Sequence, residues 1–261
     1  MRSKLTINGL ILDLDGVLWK DRHPLVDLPA TFSKIRSLGL PFILATNNST
    51  ISAAALVQKM ANYGVSISAA EVVNSSMAAV FLLKNRIPEG SRVFMVGEDG
   101  LQEALETSGY VISDEDVQAV IAGMDRSVNF EKLKRATLLV RSGALFLGTN
   151  PDKTFPTPQG LIPGAGSLLA ALEASTGQKP VIAGKPNSTL FEMALERMQL
   201  PAEQVLAIGD RLDTDILGGQ RAGCRTALVL SGVTSREEAG GWTPPPDIIA
   251  GDLAELVSKL V

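Results

Sequence analysis

Two carboxylates, Asp13 and Asp15, stand one residue apart at the end of an apolar run and are followed directly by Gly16. The apolar run at 10–12 is typical of a buried strand, and glycine permits the turn that would end it. Mg²⁺ prefers carboxylate and phosphate oxygens as ligands, and a carboxylate can attack phosphorus to form an aspartyl-phosphate. The pair therefore predicts a hard-metal site with a carboxylate nucleophile, against the plainer interpretation of a solvated strand end.

Polar side chains follow three further apolar runs that predict strands: Thr46 with Asn47, then Lys185, then Asp210. Each has a plain alternative, as a helix cap, a solvated loop cation or a polar loop. Because a parallel sheet gathers the carboxyl ends of its strands at one edge, we expect these side chains to lie near the aspartate pair.

Together these groups have the chemistry to hydrolyse a phosphate ester. That reaction needs a nucleophile, cations for the phosphoryl oxygens and a proton for the leaving group. Asp13 would attack phosphorus, and Mg²⁺ would be held by Asp13 and Asp210. Thr46 and Lys185 would hold the remaining phosphate oxygens. Asp15 would protonate the leaving oxygen and later deprotonate the attacking water.

Composition excludes several other classes of function. The 261 residues are 45% apolar and 20% charged, and the net charge of −4 gives no basic field for nucleic acid. No stretch approaches the roughly 18 apolar residues that would predict a membrane span. Cys224 is the only cysteine, so we expect a small buried residue and a cytoplasmic protein without disulfides. His23, the only histidine, is expected on the surface, which disfavours a histidine base.

Strand and helix patterns alternate along the whole chain, which predicts an α/β fold with a Rossmann-like parallel sheet. A second α/β rhythm begins near residue 92 and contains none of the Asp-rich strand ends seen elsewhere, so we interpret it as an inserted domain. The predicted division assigns 1–76 and 181–261 to the core and 77–180 to the insert. A loop rich in proline and glycine is expected at 153–164.

Four ordered motifs resemble those of the haloacid dehalogenase superfamily of phosphatases. They are Asp-Leu-Asp-Gly-Val at 13–17, Ala-Thr-Asn-Asn-Ser at 45–49, Gly-Lys-Pro at 184–186 and Gly-Asp-x-x-x-Thr-Asp at 209–215. The insert, through its segments 143–152 and 162–167, resembles the NagD-like and p-nitrophenyl-phosphatase-like branch, which has a large α/β cap. The resemblance covers nearly the whole chain and implies a Rossmann-like core with an inserted cap domain.

The resemblance assigns a role to each motif residue. It implies that Asp13 is the nucleophile and Asp15 the general acid and base, while Thr46 and Asn47 contact phosphate. Lys185 matches the lysine of the third motif, which binds the phosphate oxygens.

The implied cofactor is Mg²⁺. Asp13, Asp210 and the backbone carbonyl of Asp15 would be its ligands, with Asp215 supporting the water ligands of the metal or Lys185.

The implied cap would close over the site and select the leaving group. Asn150 and Asp152 lie on a segment that in such enzymes can face the substrate, although a turn before Pro151 explains them equally well. The expected partner is a small phosphate monoester, such as a sugar phosphate, nucleoside monophosphate, phosphoglycolate or p-nitrophenyl phosphate, with no nucleic acid polymer or membrane. The sequence leaves a homodimer open.

Two other classes compete with a phosphatase. A phosphoryl-accepting signalling domain also places carboxylates, threonine and lysine at strand ends, but an insert of about 100 residues does not suit such a small domain. A nucleotide-binding protein would be expected to carry a glycine-rich phosphate motif after a strand, and none is present.

Overall fold

The computed structural model describes residues 6–157 and 159–260. Positions 1–5, 158 and 261 belong to the predicted core and proline-rich loop and lie outside the described residues. The strands are β1 (Gly9–Leu12), β2 (Trp19–Lys20), β3 (His23–Pro24), β4 (Phe42–Thr46), β5 (Val72–Asn74), β6 (Arg92–Val96), β7 (Val111–Ile112), β8 (Ala119–Ala122), β9 (Leu145–Gly148), β10 (Thr154–Thr157), β11 (Gly160–Pro163), β12 (Val181–Ile182), β13 (Val205–Gly209), β14 (Arg225–Val229) and β15 (Ile248–Ala250).

Helices follow most of these strands, as the alternating pattern predicts. They are α1 (Leu28–Ser37), α2 (Ala53–Asn62), α3 (Ser75–Lys84), α4 (Asp99–Thr107), α5 (Phe130–Arg141), α6 (Ala165–Thr176), α7 (Thr189–Met198), α8 (Leu217–Arg221), α9 (Arg236–Gly241) and α10 (Leu253–Ser258). Two single 3₁₀ turns, Ala69–Glu71 and Ala202–Gln204, precede β5 and β13, and a one-turn π-helix, Leu212–Ile216, leads into α8.

The chain divides into two compact units. The first comprises Met1–Thr46, Leu56–Val73 and Pro186–Val261, and the second Asn47–Ala55 and Asn74–Lys185. This division differs from the predicted one in giving 47–55, 74–76 and 181–185 to the second unit. The predicted core and cap boundaries stay a prediction.

The first unit is built on a six-stranded sheet with the order β15-β14-β13-β1-β4-β5. The pairings from β15 through β4 are all parallel. All four residues of β1 are buried, which explains its apolar sequence, because a strand at the centre of a parallel sheet is covered on both faces. The sheet therefore confirms the predicted α/β fold class and its parallel core.

The second unit has a five-stranded sheet with the order β12-β9-β8-β6-β7, and its pairings are parallel throughout. α5 and α6 pack on it around an apolar cluster that includes Phe94, Val120, Phe146 and Leu172. β12 pairs with β9. The expectation that the strand before Lys185 belongs to the same sheet as β1 and β13 is therefore wrong.

The expected loop at 153–164 is also partly wrong, because β10 and β11 form an antiparallel pair within it. Its three prolines suppressed the strand pattern, since proline cannot donate to a ladder and is tolerated only at sheet edges. Pro156 and Pro163 lie in a two-stranded ribbon, in which every strand is an edge.

Three further expectations are tested by burial and helix length. His23 is exposed and Cys224 is buried, as expected, and burial raises the pKa of the Cys224 thiol to about 12. No helix within the described residues is both long and apolar enough to cross a membrane.

A buried carboxylate in the second unit gives a prediction about acid stability. Burial of Asp125 raises its pKa, but hydrogen bonds from Lys132 and Ser127 outweigh this effect and hold the pKa below its usual value. Because the folded-state pKa is the lower one, the stabilisation is complete above the unfolded value of about 3.9 and is lost as the pH falls through the folded pKa.

Asp125→Asn should lower the free energy of unfolding at pH 7 by about 1–3 kcal/mol and flatten its decline below about pH 4. Urea unfolding across this pH range measures both effects. Asp116→Asn is the control, because that carboxylate is exposed and its ion pair, at 3.5 Å, is with the exposed Arg92. If the free energy of unfolding of Asp125→Asn declined below about pH 4 as steeply as that of the wild type, the stabilising role of the Asp125 carboxylate would be contradicted.

Candidate active site

Three carboxylates of the first unit converge at the carboxyl edge of its sheet. Asp13 follows β1 and Asp210 follows β13, and these strands are neighbours with Leu12 paired to Ile208. The Asp13 backbone N–H extends this ladder by donating to the Ile208 carbonyl, at 2.9 Å. Asp13, Asp210 and Asp215 each offer a carboxylate oxygen, and these oxygens lie within 4.8 Å of one another.

Backbone groups enclose the Asp210 carboxylate, which is 1% exposed. Its Oδ2 accepts a hydrogen bond from the Val233 N–H at 2.8 Å, and its backbone carbonyl accepts one from the Thr234 N–H at 3.2 Å. A Cβ on Gly16 or Gly232 would lie 2.4 or 2.0 Å from Oδ2, so both positions need glycine. These loops hold the carboxylate in one orientation.

Asp215 reaches the cluster because the chain after Asp210 forms the π-helical turn. Its side chain is buried, and its Oδ2 accepts a hydrogen bond from the Arg211 N–H at 3.1 Å. Asp213, in the same turn, is exposed and instead pairs with the Arg211 guanidinium through two bonds of 3.0 and 3.1 Å. Two aspartates two residues apart thus have different environments.

The donor set fits a hard divalent cation. Three carboxylates supply only oxygen ligands, and Mg²⁺ in proteins is bound by one or two carboxylates together with water and phosphate oxygens. Among the described residues, the Asp15 carboxylate is not a member of this group, which leaves its predicted metal contact to the backbone carbonyl.

Asp15 lies on the turn that leaves β1. Gly16, at φ +86°, begins the turn, and its N–H donates to the Trp19 carbonyl at 2.8 Å. This brings Trp19 back beside Asp15, and the indole Nε1–H donates to Asp15 Oδ1 at 2.9 Å. Ser231 donates to the Gly16 carbonyl at 2.7 Å, which ties the turn to the loop that encloses Asp210.

Thr46 is the last residue of β4, the other neighbour of β1, and it is buried. Its position at the carboxyl end of the strand agrees with the strand boundaries expected from the sequence.

Asn47 and Lys185 are brought together within the second unit. The Asn47 amide donates to the Lys185 carbonyl at 3.1 Å, and its Oδ1 accepts from the Lys185 N–H at 2.8 Å. Lys185 is 3% exposed. This reciprocal pair fixes the backbone from which the Lys185 side chain extends.

Asn150 and Asp152 lie beside the same pair. The Asn150 amide donates to the Asn47 carbonyl at 2.7 Å, and the Asn47 amide donates to Asp152 Oδ2 at 3.0 Å. The Asp152 N–H also donates to Asn150 Oδ1 at 3.1 Å, which is the turn contact considered from the sequence. Both residues therefore have structural roles in the second unit.

Sequence reasoning missed the loop 231–234 and the contact of Trp19 with Asp15. The loop follows β14, so the rule that found the other strand ends applied to it as well, but it carries no charge to draw attention. The Trp19 contact depends on a tight turn whose geometry the sequence does not specify beyond Gly16.

Two family profiles match the chain. The haloacid dehalogenase-like hydrolase profile matches residues 10–111, and a HAD-hydrolase-like profile matches residues 182–256.

Named relatives are similar over most of their length. The acid sugar phosphatase of Staphylococcus saprophyticus is 36% identical over 251 residues, 96% of each chain. The 5'-nucleotidase YutF of Bacillus subtilis is 34% identical over 232 residues, covering 89% of this chain and 90% of its own.

Solved structures are also similar to most of this chain. The 4-nitrophenylphosphatase of Thermotoga maritima is 35% identical, with a TM-score of 0.92 over 98% of each chain. NagD of Escherichia coli is 35% identical, with a TM-score of 0.89 over 96% of this chain and 98% of that one. The glycerol phosphate phosphatase of Mycobacterium tuberculosis, in complex with magnesium, is 34% identical, with a TM-score of 0.90 over 96% of this chain and 76% of that one.

The chain therefore belongs to the haloacid dehalogenase-like hydrolase family. Within that family it is a NagD-like phosphatase, which makes it a phosphoric monoester hydrolase rather than a signalling or binding module.

Proposed function

We propose that the protein is a Mg²⁺-dependent phosphatase of small phosphate monoesters that acts through an aspartyl-phosphate on Asp13. The observation that carries this proposal is the convergence of Asp13, Asp210 and Asp215 within 4.8 Å in a chain of this family. The magnesium complex of the glycerol phosphate phosphatase supports the choice of metal.

Asp13, Asp210 and the Asp15 backbone carbonyl would hold the cation, and Asp215, in the same cluster, would support its water ligands or Lys185. When bound, Mg²⁺ would neutralise charge on the phosphoryl oxygens and reduce repulsion between the phosphate and the carboxylates. The enclosed Asp210 supports this role, because rigid partners around a ligand keep it oriented toward the metal.

The chain's own residues would carry the covalent chemistry. An Asp13 oxygen attacks phosphorus, the bond from phosphorus to the ester oxygen breaks, and Asp15 gives its proton to the departing oxygen. Asp15 then takes a proton from water as the water oxygen attacks the aspartyl-phosphate. The bond between phosphorus and Asp13 breaks, and inorganic phosphate leaves.

Thr46, Asn47 and Lys185 are proposed to bind the transferring phosphoryl group. Thr46 directly precedes Asn47 in the chain, and the backbone of Asn47 is bonded to Asn150 while its side chain is bonded to Lys185. This network supports a fixed position for the lysine, whose ammonium suits a phosphate oxygen as a point charge. Asn150 and Asp152 would then act by holding Asn47.

The substrate is proposed to be a small organic phosphate. The relatives are named for sugar phosphate, nucleotide, glycerol phosphate and nitrophenyl phosphate hydrolysis, which supports the class but not one member. Phosphate release from a panel of these esters, with glycolate and pyridoxal phosphates added, tests the proposal. Multiple turnovers on at least one ester that stop with excess chelator are expected, and chelator-resistant turnover would overturn the metal dependence.

Gly232 tests the enclosure of Asp210. Gly232→Ala would bring a methyl group to 2.0 Å from Asp210 Oδ2, so the carboxylate must move. We expect the Mg²⁺ concentration for half-maximal activity to rise by about 10–100-fold, as for other changes to the partners of a metal ligand.

Gly240→Ala is the matched control, because a methyl group there meets nothing within 4 Å. It should leave the Mg²⁺ requirement unchanged. Titration of phosphate release with Mg²⁺ gives both values, and equal requirements in the two variants would contradict the role of the loop.

A further inference from the structure

Trp19 is a buried aromatic residue that contacts the exposed carboxylate of Asp15. The indole is 1% exposed, and its only polar atom, Nε1, donates to Asp15 Oδ1 at 2.9 Å. An exposed carboxylate on a turn has several rotamers, and a hydrogen bond from a fixed donor favours one of them. Here one oxygen is held by a ring that is fixed in the core of the first unit.

The ring is itself fixed by residues at the end of α2. The Lys59 ammonium lies 3.8 Å from the centre of the indole, and the Tyr63 ring stacks on it with centroids 5.7 Å apart and planes at 26°. Tyr63 also donates its hydroxyl proton to the Arg22 carbonyl at 2.8 Å. These contacts restrict the indole plane and so the direction of its N–H.

Lys59 adds a charge to this arrangement. Burial lowers its pKa, while the negative charge of Asp15 raises it. The ammonium therefore attracts the ring face and the carboxylate together, which favours one position of the Asp15 side chain.

We propose that Trp19 is a positioning residue, clamped by Lys59 and Tyr63, that orients Asp15 for proton transfer to the leaving oxygen. This inference rests on the proposed function, because it takes Asp15 to be the general acid. In this role Trp19 contacts neither phosphorus nor the oxygens that bind the metal, so it affects only the geometry of proton transfer.

Trp19→Phe keeps an aromatic ring beside Lys59 but removes the N–H. For glycerol phosphate, whose alkoxide needs a proton to leave, we expect kcat to fall by about tenfold or more, part of the 10²–10⁴-fold that general acids contribute. For p-nitrophenyl phosphate, whose leaving group is stable as an anion, we expect a loss of less than about threefold. KM should stay within about twofold for both substrates, because the phosphate contacts are intact.

Trp242→Phe is the matched control. The Trp242 Nε1 is buried and has no hydrogen-bond partner among the described residues, so the same replacement removes no bond there. If Trp19→Phe does not fold, the isosteric benzothienyl analogue of tryptophan, incorporated in a Trp242→Phe background, removes the N–H while keeping the ring shape.

Asp15→Asn, measured alongside, distinguishes failure of the positioning role of Trp19 from failure of the proposed acid role of Asp15. Suppose that Asp15→Asn loses more kcat on glycerol phosphate than on p-nitrophenyl phosphate, while removal of the Trp19 N–H lowers kcat equally on both. The positioning role is then overturned and the proposed function stands. If Asp15→Asn itself loses kcat equally on both esters, the acid role of Asp15 fails and the positioning role of Trp19 fails with it. The expected result is a larger loss of kcat on glycerol phosphate than on p-nitrophenyl phosphate in both Asp15→Asn and Trp19→Phe, and no such difference in Trp242→Phe.

Discussion

Asp13→Asn is expected to reduce phosphate release by at least about 10³-fold, because loss of a nucleophile removes the covalent route and leaves only binding effects. The amide has nearly the same volume and is a poor nucleophile. The backbone bond from Asp13 to Ile208 at the end of β1 does not involve the side chain, so the fold should persist. Phosphate release under saturating ester and Mg²⁺, with circular dichroism as the check on folding, measures the effect.

Asp21→Asn is the control for the loss of one negative charge. Asp21 is exposed in the turn between β2 and β3 and has a positive φ of 56°, which asparagine tolerates. It should retain near-normal turnover. If Asp13→Asn retained turnover comparable to this control, Asp13 would not be the nucleophile.

The second large effect concerns the metal. Excess chelator should reduce turnover to background, and added Mg²⁺ should restore it. Asp210→Asn should raise the Mg²⁺ concentration needed for half-maximal activity by about 10–100-fold or more, because it removes a buried carboxylate from the cluster.

Thermal unfolding supplies a readout that is independent of activity. A ligand at about 100 times its Kd stabilises the folded state by about 2.7 kcal/mol, so Mg²⁺ should raise the Tm of the wild type. That increase should vanish in Asp210→Asn at the same concentration.

Asp213→Asn is the matched control for Asp210→Asn. It removes a carboxylate from the same loop, but that carboxylate is exposed, pairs with Arg211 and lies outside the cluster. Its Mg²⁺ requirement and its thermal response should match the wild type. Equal losses in the two variants would show that the loop charge as a whole, and not the cluster, binds the metal.

The strand ends at Asp13 and Asp210 were predictable because each follows an apolar run, and such runs form the central strands of parallel sheets. Their convergence followed from the common edge of such a sheet. The approach of Asp215 was not predictable in the same way, because it depends on a π-helical turn. Sequence periodicity predicts a helix there without fixing which aspartate points inward.

Lys185 shows where the same rule fails. Its strand is only two residues long, and the sequence of so short a strand does not specify which sheet it joins. Pairing with β9 is decided by contacts distant in sequence. The loop of Gly232 and the Trp19 contact were missed for a related reason, since both act through backbone approach and turn geometry rather than through charged residue types.

The most direct test of the proposed mechanism is a search for the covalent intermediate. Wild type is mixed with a radiolabelled phosphate ester and Mg²⁺, quenched in acid within the first turnover and digested. The proposed mechanism predicts acid-stable label on the peptide that contains Asp13, its release by hydroxylamine, and no label on Asp13→Asn. Rapid turnover by the wild type with no label on that peptide, under conditions that detect a fraction of one turnover, would contradict it, because water would then attack the ester directly.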